Sequence, residues 1–229
     1  TNKFQSSMGT TMATVQYARH GLLRWSEVSQ GVVATASGAL LGAACVTRMD
    51  AHVLRPVIPV LLVAIALYLG LKPDLGREAR PSTLTGLLLR WRSLGWGGGW
   101  ISKDAVAETR WVFAVGCGLL IGFYDGFFGP GTGSFFVFLL VRWLGYDFLN
   151  ASVAAKLLNL SSNAAALVLF ALKGHVWWHL ALPLALANVA GSLLGTRMAL
   201  KHGAGFVRVM FLLVVSALIC KTSFDAYMR

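Results

Sequence analysis

The sequence predicts an all-α protein: a polytopic transmembrane helical bundle with two related halves and a broken or re-entrant glycine-rich helix. Two features of the composition predict the membrane setting, since 56% of the 229 residues are hydrophobic and only 13% are charged. Soluble domains carry about 25% charged residues, because water must solvate their surface. The third observation is a series of apolar runs, each near the length of about 20 residues that a membrane-crossing helix needs.

The apolar runs divide the chain around one long polar segment. We expect a short polar helix over residues 4–19 and apolar helices over residues 28–46, 53–71, 151–172, 177–200 and 206–220. The run 111–141 is too long for one ordinary span and too short for two, which favours a broken helix and leaves open whether it crosses or turns back. The predicted organisation is a first transmembrane repeat at 1–71, a connecting loop at 72–110 and a second repeat at 111–229.

The net charge is +11, from 20 Lys and Arg against 9 Asp and Glu. The basic residues lie at the ends of apolar runs and not on one polar face, which favours contact with the lipid bilayer over nucleic-acid binding. Most basic residues between the runs fall on the side of residues 72–110. Because cytoplasmic loops are enriched in Lys and Arg, we expect this loop in the cytoplasm and the protein in the inner (plasma) membrane.

The chain contains an internal repeat in which residues 153 positions apart match without gaps. The match is carried by Lys, Gly, Trp and Arg more than by common leucines, and it pairs Lys3, Gly21, Trp25, Gly38, Gly42 and Arg55 with Lys156, Gly174, Trp178, Gly191, Gly195 and Arg208. Repeated halves with a broken helix are typical of secondary transporters. The glycine break at 129–133 has its counterpart ahead of residue 1, so we expect the first half to lack its opening helix.

The segment 122–134, GFYDGFFGPGTGS, interrupts the apolar run. Glycines allow the backbone to approach a ligand closely, and Pro130 prevents a continuous helix. The N–H groups freed at the start of a half-helix favour an anion, and two hydroxyls add donors. We therefore predict a substrate-binding segment; the alternative is a packing kink without a ligand. The predicted binding residues are Gly129, Gly131, Thr132, Gly133 and Ser134.

Polar side chains flank this break in otherwise apolar sequence. Asp125 precedes it, and a carboxylate inside a membrane is costly enough that it usually has a partner or a function. Lys156, Asn159 and Asn163 share one helix face by their spacing, and Lys3 begins the corresponding stripe in the first half. We predict that all five of these residues belong to the substrate-binding site. Lys156 is expected to supply countercharge to an anion, Asn159 and Asn163 to orient the substrate, and Asp125 to pair with Lys156 or to carry a coupled proton. The alternative is that Lys156 snorkels to the membrane interface.

Other motifs have ordinary structural interpretations. The GxxxG pairs Gly38–Gly42 and Gly191–Gly195 predict close helix packing. The three cysteines lie far apart, and His175 and His179 have no carboxylate or Cys beside them, so we expect no metal site. The sequence has no Walker, HExxH or nucleophile-elbow motif, so we expect neither an enzyme nor a cofactor.

These motifs resemble those of a known family. GFYDGFFGPGTGSFF at 122–136 is similar to the signature of the TauE/SafE sulfite-exporter family, also called the 4-toluene sulfonate uptake permease family. AKLLNLSSN at 155–163 and TNKFQ at 1–5 resemble its AKLLN-x-x-SN and TNK-x-Q segments. The resemblance implies an integral membrane protein with two related halves that moves sulfite, sulfonates, sulfoacetate or similar small organic anions. The sequence departs from the family in its missing opening helix and in its longer 72–110 connection.

Residue chemistry and resemblance together predict a secondary transporter, a permease or exporter, for small anions, in particular sulfur-containing ones. Two other classes stay open at this stage. A channel or a cation or metal carrier would use Asp125 and the histidines for chelation, and a non-transporting scaffold would pack residues 122–163 without a cavity. The expected partners are a small anionic substrate and the lipid bilayer, and homo-oligomer formation is left open.

Overall fold

The structure, a computed structural model, describes residues 1–23, 25–47, 103–129, 131–174 and 176–227. Within these ranges the chain forms six α-helices and no strand, which confirms the predicted helical bundle. The predicted helix at 53–71, most of the predicted loop at 72–110, Pro130 and His175 lie outside the described residues. The helices are α1 (Asn2–Arg19), α2 (Trp25–Val46), α3 (Lys103–Phe127), α4 (Thr132–Leu144), α5 (Phe148–Leu172) and α6 (Trp178–Tyr227).

Three of the described helices are long and apolar enough to cross a membrane. Their apolar stretches are Val28–Val46 in α2, Phe148–Leu172 in α5 and Trp178–Lys221 in α6. Large apolar side chains on these helices point outward; Leu172 is 84% exposed and Leu186 is 73% exposed. Because exposed apolar surface of this extent is stable in lipid and not in water, the outer face of the bundle suits contact with a bilayer.

Two of the element boundaries differ from the sequence prediction. Helix α3 begins at Lys103, inside the segment predicted to be a connecting loop, so residues 103–110 are helical. Helix α6 contains the two predicted helices 177–200 and 206–220, which are separated at Gly203 by a non-helical backbone with φ 72° and ψ −163°. The left-handed φ is accessible to glycine without a steric penalty, and it breaks α6 into a first and a second part.

The predicted break in the glycine-rich run is present between α3 and α4. Helix α3 ends at Phe127, α4 begins at Thr132, and both Gly129 and Gly131 have left-handed φ values, of 85° and 80°. Helix α4 has 13 residues, which at 1.5 Å per residue is about 20 Å. That length is less than the hydrocarbon thickness of a bilayer, about 30 Å, so α4 is a half-length helix with its first turn inside the bundle.

Helices α2 and α3 pack with their backbones in contact. A Cβ added to Gly38 would lie 2.2 Å from the carbonyl oxygen of Leu119, and one added to Gly126 would lie 2.0 Å from that of Ala39. Only glycine permits this approach, so the packing predicted for the Gly38–Gly42 pair is confirmed. The Gly191–Gly195 pair differs, because no described residue outside α6 lies within 4 Å of a Cβ placed at either position.

The repeat is visible in the way equivalent helices end and begin. Helix α1 is followed by Gly21 with φ 69°, and α5 is followed by Gly174 with φ 71°. In each case the glycine N–H donates to the carbonyl oxygen three residues earlier, at 3.0 Å. The next helix then begins at Trp25 in the first half and at Trp178 in the second. The matched residues of the repeat therefore have matched local structure.

Candidate functional site

The first turn of α4 divides the predicted site residues into two groups. Thr132 faces Asp125 and Lys3 in a buried cluster. Gly133 and Ser134, the next two residues, face a cleft on the other side together with Lys156 and Asn159. The break between α3 and α4 thus contributes residues to two adjacent polar environments, whereas the sequence predicts a single binding site.

The buried cluster is built around an ion pair between the two halves of the chain. The Lys3 ammonium lies 2.9 Å from the Asp125 Oδ1 carboxylate oxygen and also donates to the main-chain oxygen of Asp125. The Thr132 hydroxyl lies 2.8 Å from Asp125 Oδ1 and 2.8 Å from the Gly129 carbonyl oxygen, so its single proton serves one acceptor at a time. Asp125 Oδ2 is buried and has no hydrogen-bond partner among the described residues.

The expected ion pair between Asp125 and Lys156 is therefore wrong. Asp125 pairs instead with Lys3 of α1, the first-half counterpart of Lys156, which is also a predicted substrate-binding residue. Sequence spacing relates residues within one helix, whereas this contact joins residues 122 positions apart. Gly129 makes room for it, since a Cβ there would lie 3.3 Å from the Lys3 ammonium nitrogen.

The second group lines a cleft, here called the Lys156 cleft, with a volume of about 380 Å³. Its polar side comes from α4 and α5, and its apolar side comes mainly from the second part of α6. Lys156 is partly buried there and makes no hydrogen bond or ion pair with any of the described residues. The polar lining residues are Gly133, Ser134, Ser152, Lys156 and Asn159, and the apolar ones include Val137, Val207, Met210, Phe211 and Val214.

Asn163 positions Asn159 at this cleft without lining it. The Asn163 side-chain amide donates to Asn159 Oδ1 at 2.9 Å. This contact uses the acceptor of Asn159 and leaves its Nδ2 group as the free donor, close to Gly133, whose added Cβ would lie 3.9 Å from that nitrogen. Asn159 therefore presents N–H groups to the cleft, and Asn163, which is buried, fixes that orientation.

The start of α4 adds backbone donors to the same cleft. Gly131 is the N-cap residue, and its carbonyl oxygen accepts from the N–H groups of Ser134 and Phe135. The N–H groups of Thr132 and Gly133 belong to the first turn, which has no intrahelical acceptors. Together with the helix dipole they make the surroundings of Gly133 and Ser134 favourable for negative charge.

Several polar residues near Lys156 were not identified from the sequence. Ser152 lies one helical turn before Lys156, and a second groove of about 560 Å³ continues from Lys156 along the first part of α6. Helical spacing could have identified them, because polar residues that recur every four positions in an apolar helix lie on one face. Ser152 and Lys156 are spaced in this way, and so are Asn188, Ser192 and Thr196. The polar residues of this groove, apart from Ser152 and Lys156, are Tyr17, Asn188, Ser192 and Thr196.

The donor set of these sites is unlike that of a cation site. Among the described residues no group of three or more His, Cys, Asp and Glu side chains is close enough to hold a metal ion. The Lys156 cleft instead combines an ammonium group, a hydroxyl and an amide N–H group, with no carboxylate in its lining. Such a site is electrostatically complementary to a small anion.

The fold and this site define a polytopic helical membrane protein with a polar cleft at a broken helix. The chain belongs to the TauE/SafE family, since the profile described as "Sulfite exporter TauE/SafE" matches residues 1–222. It is 36% identical over 218 residues to "Probable membrane transporter protein ORF9" of Sinorhizobium sp, covering 95% of this chain and 74% of that protein. It is also 32% identical over 227 residues to "Probable membrane transporter protein YfcA" of Escherichia coli (strain K12), covering 99% and 76%.

A third relative, "Probable membrane transporter protein" of Haemophilus influenzae, is 28% identical over 225 residues, covering 98% of this chain and 79% of that protein. No solved structure matches the chain. The family assignment confirms the resemblance described for 122–136, and the protein is a membrane transporter of the TauE/SafE type.

Proposed function

We propose that this protein is a secondary transporter that binds a small anion, in particular a sulfur-containing one such as sulfite, a sulfonate or sulfoacetate, in the Lys156 cleft. Lys156 provides the countercharge, while Ser134, Asn159 and the first turn of α4 donate hydrogen bonds to the anionic group. We assign the protein to the inner (plasma) membrane with the 72–110 segment in the cytoplasm, as the basic loop residues predict.

The observation that carries this proposal is the isolation of Lys156. An ammonium group that is partly removed from water loses solvation, and it is retained in an apolar helix only if something compensates the charge. The described residues supply hydrogen-bond donors around Lys156 but no acceptor that reaches it. An anion in the cleft would satisfy the lysine and the neighbouring donors together.

The electrostatics of the neighbouring cluster support the same conclusion. Asp125 is 1% exposed and its charge is compensated by Lys3. A carboxylate without such compensation would repel an anion in the adjacent cleft through a medium of low dielectric constant. Because Lys3 neutralises Asp125, the positive charge of Lys156 and the dipole of α4 dominate the field in the cleft.

The shape of the cleft supports an organic anion as well as an inorganic one. The volume of about 380 Å³ is well above that of a four- or five-atom oxyanion, since one water occupies about 30 Å³ of liquid. Val207, Met210 and Val214 form an apolar wall opposite the donors. A sulfonate with a short carbon chain would place its charged group on Lys156 and its carbon atoms against this wall.

Transport assays in proteoliposomes test the proposal. The full polypeptide is reconstituted, and uptake of radiolabelled sulfite and sulfoacetate is measured with and without an imposed pH gradient. Loss of one charge-assisted contact costs roughly 1.5–3 kcal/mol, so we expect Lys156→Ala to reduce kcat/KM at least about tenfold. Lys156→Arg keeps the charge and should retain part of the activity.

The matched control is Lys201→Ala, because Lys201 is exposed at the end of the first part of α6. This variant should transport at the unaltered rate. If Lys156→Ala transports both anions with unchanged kcat/KM and pH dependence, the anion site is elsewhere and the proposal is wrong.

A further inference from the structure

A groove along the first part of α6, here called the α6 groove, joins the Lys156 cleft. It has a volume of about 560 Å³, and Ser152, Lys156 and Gly195 line both spaces. Lys156 therefore lies at the junction of the two. The anion site proposed above uses the cleft and gives the groove no role. The residues that line the groove but not the cleft include Tyr17, Asn188, Gly191, Ser192 and Thr196.

The α6 groove lies toward the end of the bundle at which α1 ends and α5 begins. Tyr17 is in the last turn of α1, and Leu149 and Leu200 pack against the buried cluster that contains it. Helix α6 is also broken at this end, at Gly203. Lys156 is eight residues from the start of α5, which at 1.5 Å per residue is about 12 Å. The groove therefore covers the short distance between the anion site and this end of the bundle.

Toward the other end of the bundle, the groove is closed by contact between α1 and α6. A Cβ added to Gly9 would lie 1.8 Å from the Asn188 side-chain oxygen, so the two helices touch at this level. Beyond it, the Phe4 and Trp178 rings pack edge to face, with 5.4 Å between their centroids. The described residues thus leave the groove open toward the end where α1 finishes and close it toward the end where α1 begins.

Two glycines leave free space along the groove. Gly191 and Gly195 line it, and no described residue outside α6 lies within 4 Å of a Cβ added at either position. Their repeat counterparts Gly38 and Gly42 instead meet the α3 backbone, where added Cβ atoms would lie 2.2 and 2.0 Å from carbonyl oxygens. The same motif therefore joins two helices in the first half, and in the second half it keeps side chains out of a space beside Lys156.

The chemistry of the groove suits the passage of an anion. Among the described residues that line it, Lys156 carries the one charge, and there is no carboxylate. The other polar groups are neutral, and Asn188, Ser192 and Thr196 lie on one face of α6 because they are four residues apart. A path must bind an ion well enough to admit it and weakly enough to release it. Neutral hydroxyls and amides satisfy both requirements, with the single cation at the inner end.

Helix α3 relates this end of the bundle to the loop 72–110. Gly38 of α2 lies beside Leu119 of α3, and Gly42 lies beside Phe123. The residue numbers increase together along the contact, so the two helices are parallel. Helix α2 begins just after α1 ends, and α3 therefore also begins at this end, where the chain enters it from residues 72–102. In the orientation proposed above, the groove opens toward the cytoplasm.

We propose that the α6 groove is the route by which the anion passes between Lys156 and the membrane side at which α1 ends and α3 begins. Ser152 and Ser192 donate hydrogen bonds along the route, and Gly191 and Gly195 keep it wide enough. This route rests on the proposed function, because it serves the anion site at Lys156. It adds to that function a side of access and a set of path residues.

Cysteine labelling in sealed membrane vesicles tests the route. The three native cysteines, Cys45, Cys117 and Cys220, are replaced by serine in the full polypeptide, and one cysteine is introduced at Ser192. The probe is 2-sulfonatoethyl methanethiosulfonate, a sulfonate that does not cross membranes and reacts with thiols in water. We expect Ser192→Cys to be modified from the side where α1 ends. The modified protein should lose transport, because the attached group occupies the route.

Two exposed reference positions identify the sides of the membrane. His20→Cys lies just beyond the end of α1, and Lys173→Cys lies just beyond the end of α5, at the opposite end of the bundle. Leu194→Cys is the matched control on α6, since Leu194 is 63% exposed, does not line the groove and should remain unreactive in lipid. Modification of Ser192→Cys from the Lys173 side, or from neither side, would overturn the route.

A substitution that fills the groove gives a second test. Gly191→Leu puts a side chain into the open space, and Gly191 does not line the Lys156 cleft. We expect this variant to lower kcat/KM for anion uptake at least about tenfold and to keep the parental unfolding temperature. Gly205→Leu is the control, because no described residue lies within 4 Å of its added Cβ and Gly205 does not line the groove.

Parental transport by the Gly191→Leu protein would show that the anion takes another route, and a lowered unfolding temperature would show a packed surface in place of a path. These results are separate from the test of the anion site. If Lys156→Ala loses transport while Ser192→Cys stays unreactive, the site stands and the route is wrong. If Ser192→Cys is modified from the expected side and Lys156→Ala still transports normally, the water-filled groove is confirmed and the anion site at Lys156 is wrong.

Discussion

Lys3 and Asp125 form a buried ion pair with 2.9 Å between the ammonium nitrogen and the carboxylate oxygen, and it joins the first helix of the chain to the end of α3. The side chains are 10% and 2% exposed, respectively. The pair thus links α1 to the break in the glycine-rich run. It also neutralises the carboxylate that Thr132, in the first turn of α4, contacts.

Removing one partner of this pair should be strongly destabilising. Asp125→Ala leaves the buried Lys3 ammonium without countercharge, which costs roughly 3–5 kcal/mol in comparable buried pairs. The double variant Lys3→Met with Asp125→Leu removes both charges, and we expect it to recover most of that loss. Thermal unfolding in detergent measures both, and an Asp125→Ala protein within about 0.5 kcal/mol of the parent would contradict the structural role assigned to the pair.

The Thr132 hydroxyl should contribute through its position between Asp125 and Gly129. Thr132→Val has nearly the same shape but no donor, so the buried Asp125 Oδ1 loses a hydrogen bond; the expected cost is about 1–3 kcal/mol. Thr132→Ser keeps the hydroxyl and should lie close to the parent protein. Equal stability of the Val and Ser variants in the same unfolding assay would show that the hydroxyl makes no net contribution.

The close contact between α2 and α3 should not tolerate a methyl group. Gly126→Ala would place a Cβ 2.0 Å from the Ala39 carbonyl oxygen, so the helices must separate, at a cost of roughly 1–3 kcal/mol. Gly116 is the control on the same helix, because no described residue lies within 4 Å of its added Cβ. Gly116→Ala should be neutral or slightly stabilising, since alanine is favoured over glycine in helices, and denaturant unfolding distinguishes the two variants.

Asn163 should affect transport although it does not line the Lys156 cleft. Asn163→Leu removes the donor to Asn159 Oδ1, so the Asn159 amide is free to turn away from the anion. Loss of one hydrogen bond of about 0.5–1.5 kcal/mol predicts a two- to tenfold increase in KM, roughly, with a smaller change in kcat. Ser161→Ala is the control, because the Ser161 hydroxyl bonds only the Leu158 carbonyl oxygen of its own helix; equal KM values for both variants would contradict the positioning role.

Sequence reasoning was successful where the determinant is local. The glycine break predicted at 129–133 and the shared face of Lys156 and Asn159 both depend on residues a few positions apart. One of the two roles expected for Asp125, an ion pair with Lys156, is wrong, because its partner is Lys3; the role in carrying a coupled proton stays a prediction. Both lysines satisfy the same chemical requirement, and only the packing of α1 against the break selects one of them.

The amino-acid sequence by itself determined the membrane setting, the helical class, the family, the repeat and the glycine break, because each depends on composition or on short-range spacing. The tertiary structure decided how the polar residues are divided. It placed Thr132 with Lys3 and Asp125, and it placed Ser134 with Lys156 in a cleft against α6. The physical reason is that successive residues of a helix point in directions about 100° apart, so neighbours in the α4 first turn face different surroundings, which only the packed bundle defines.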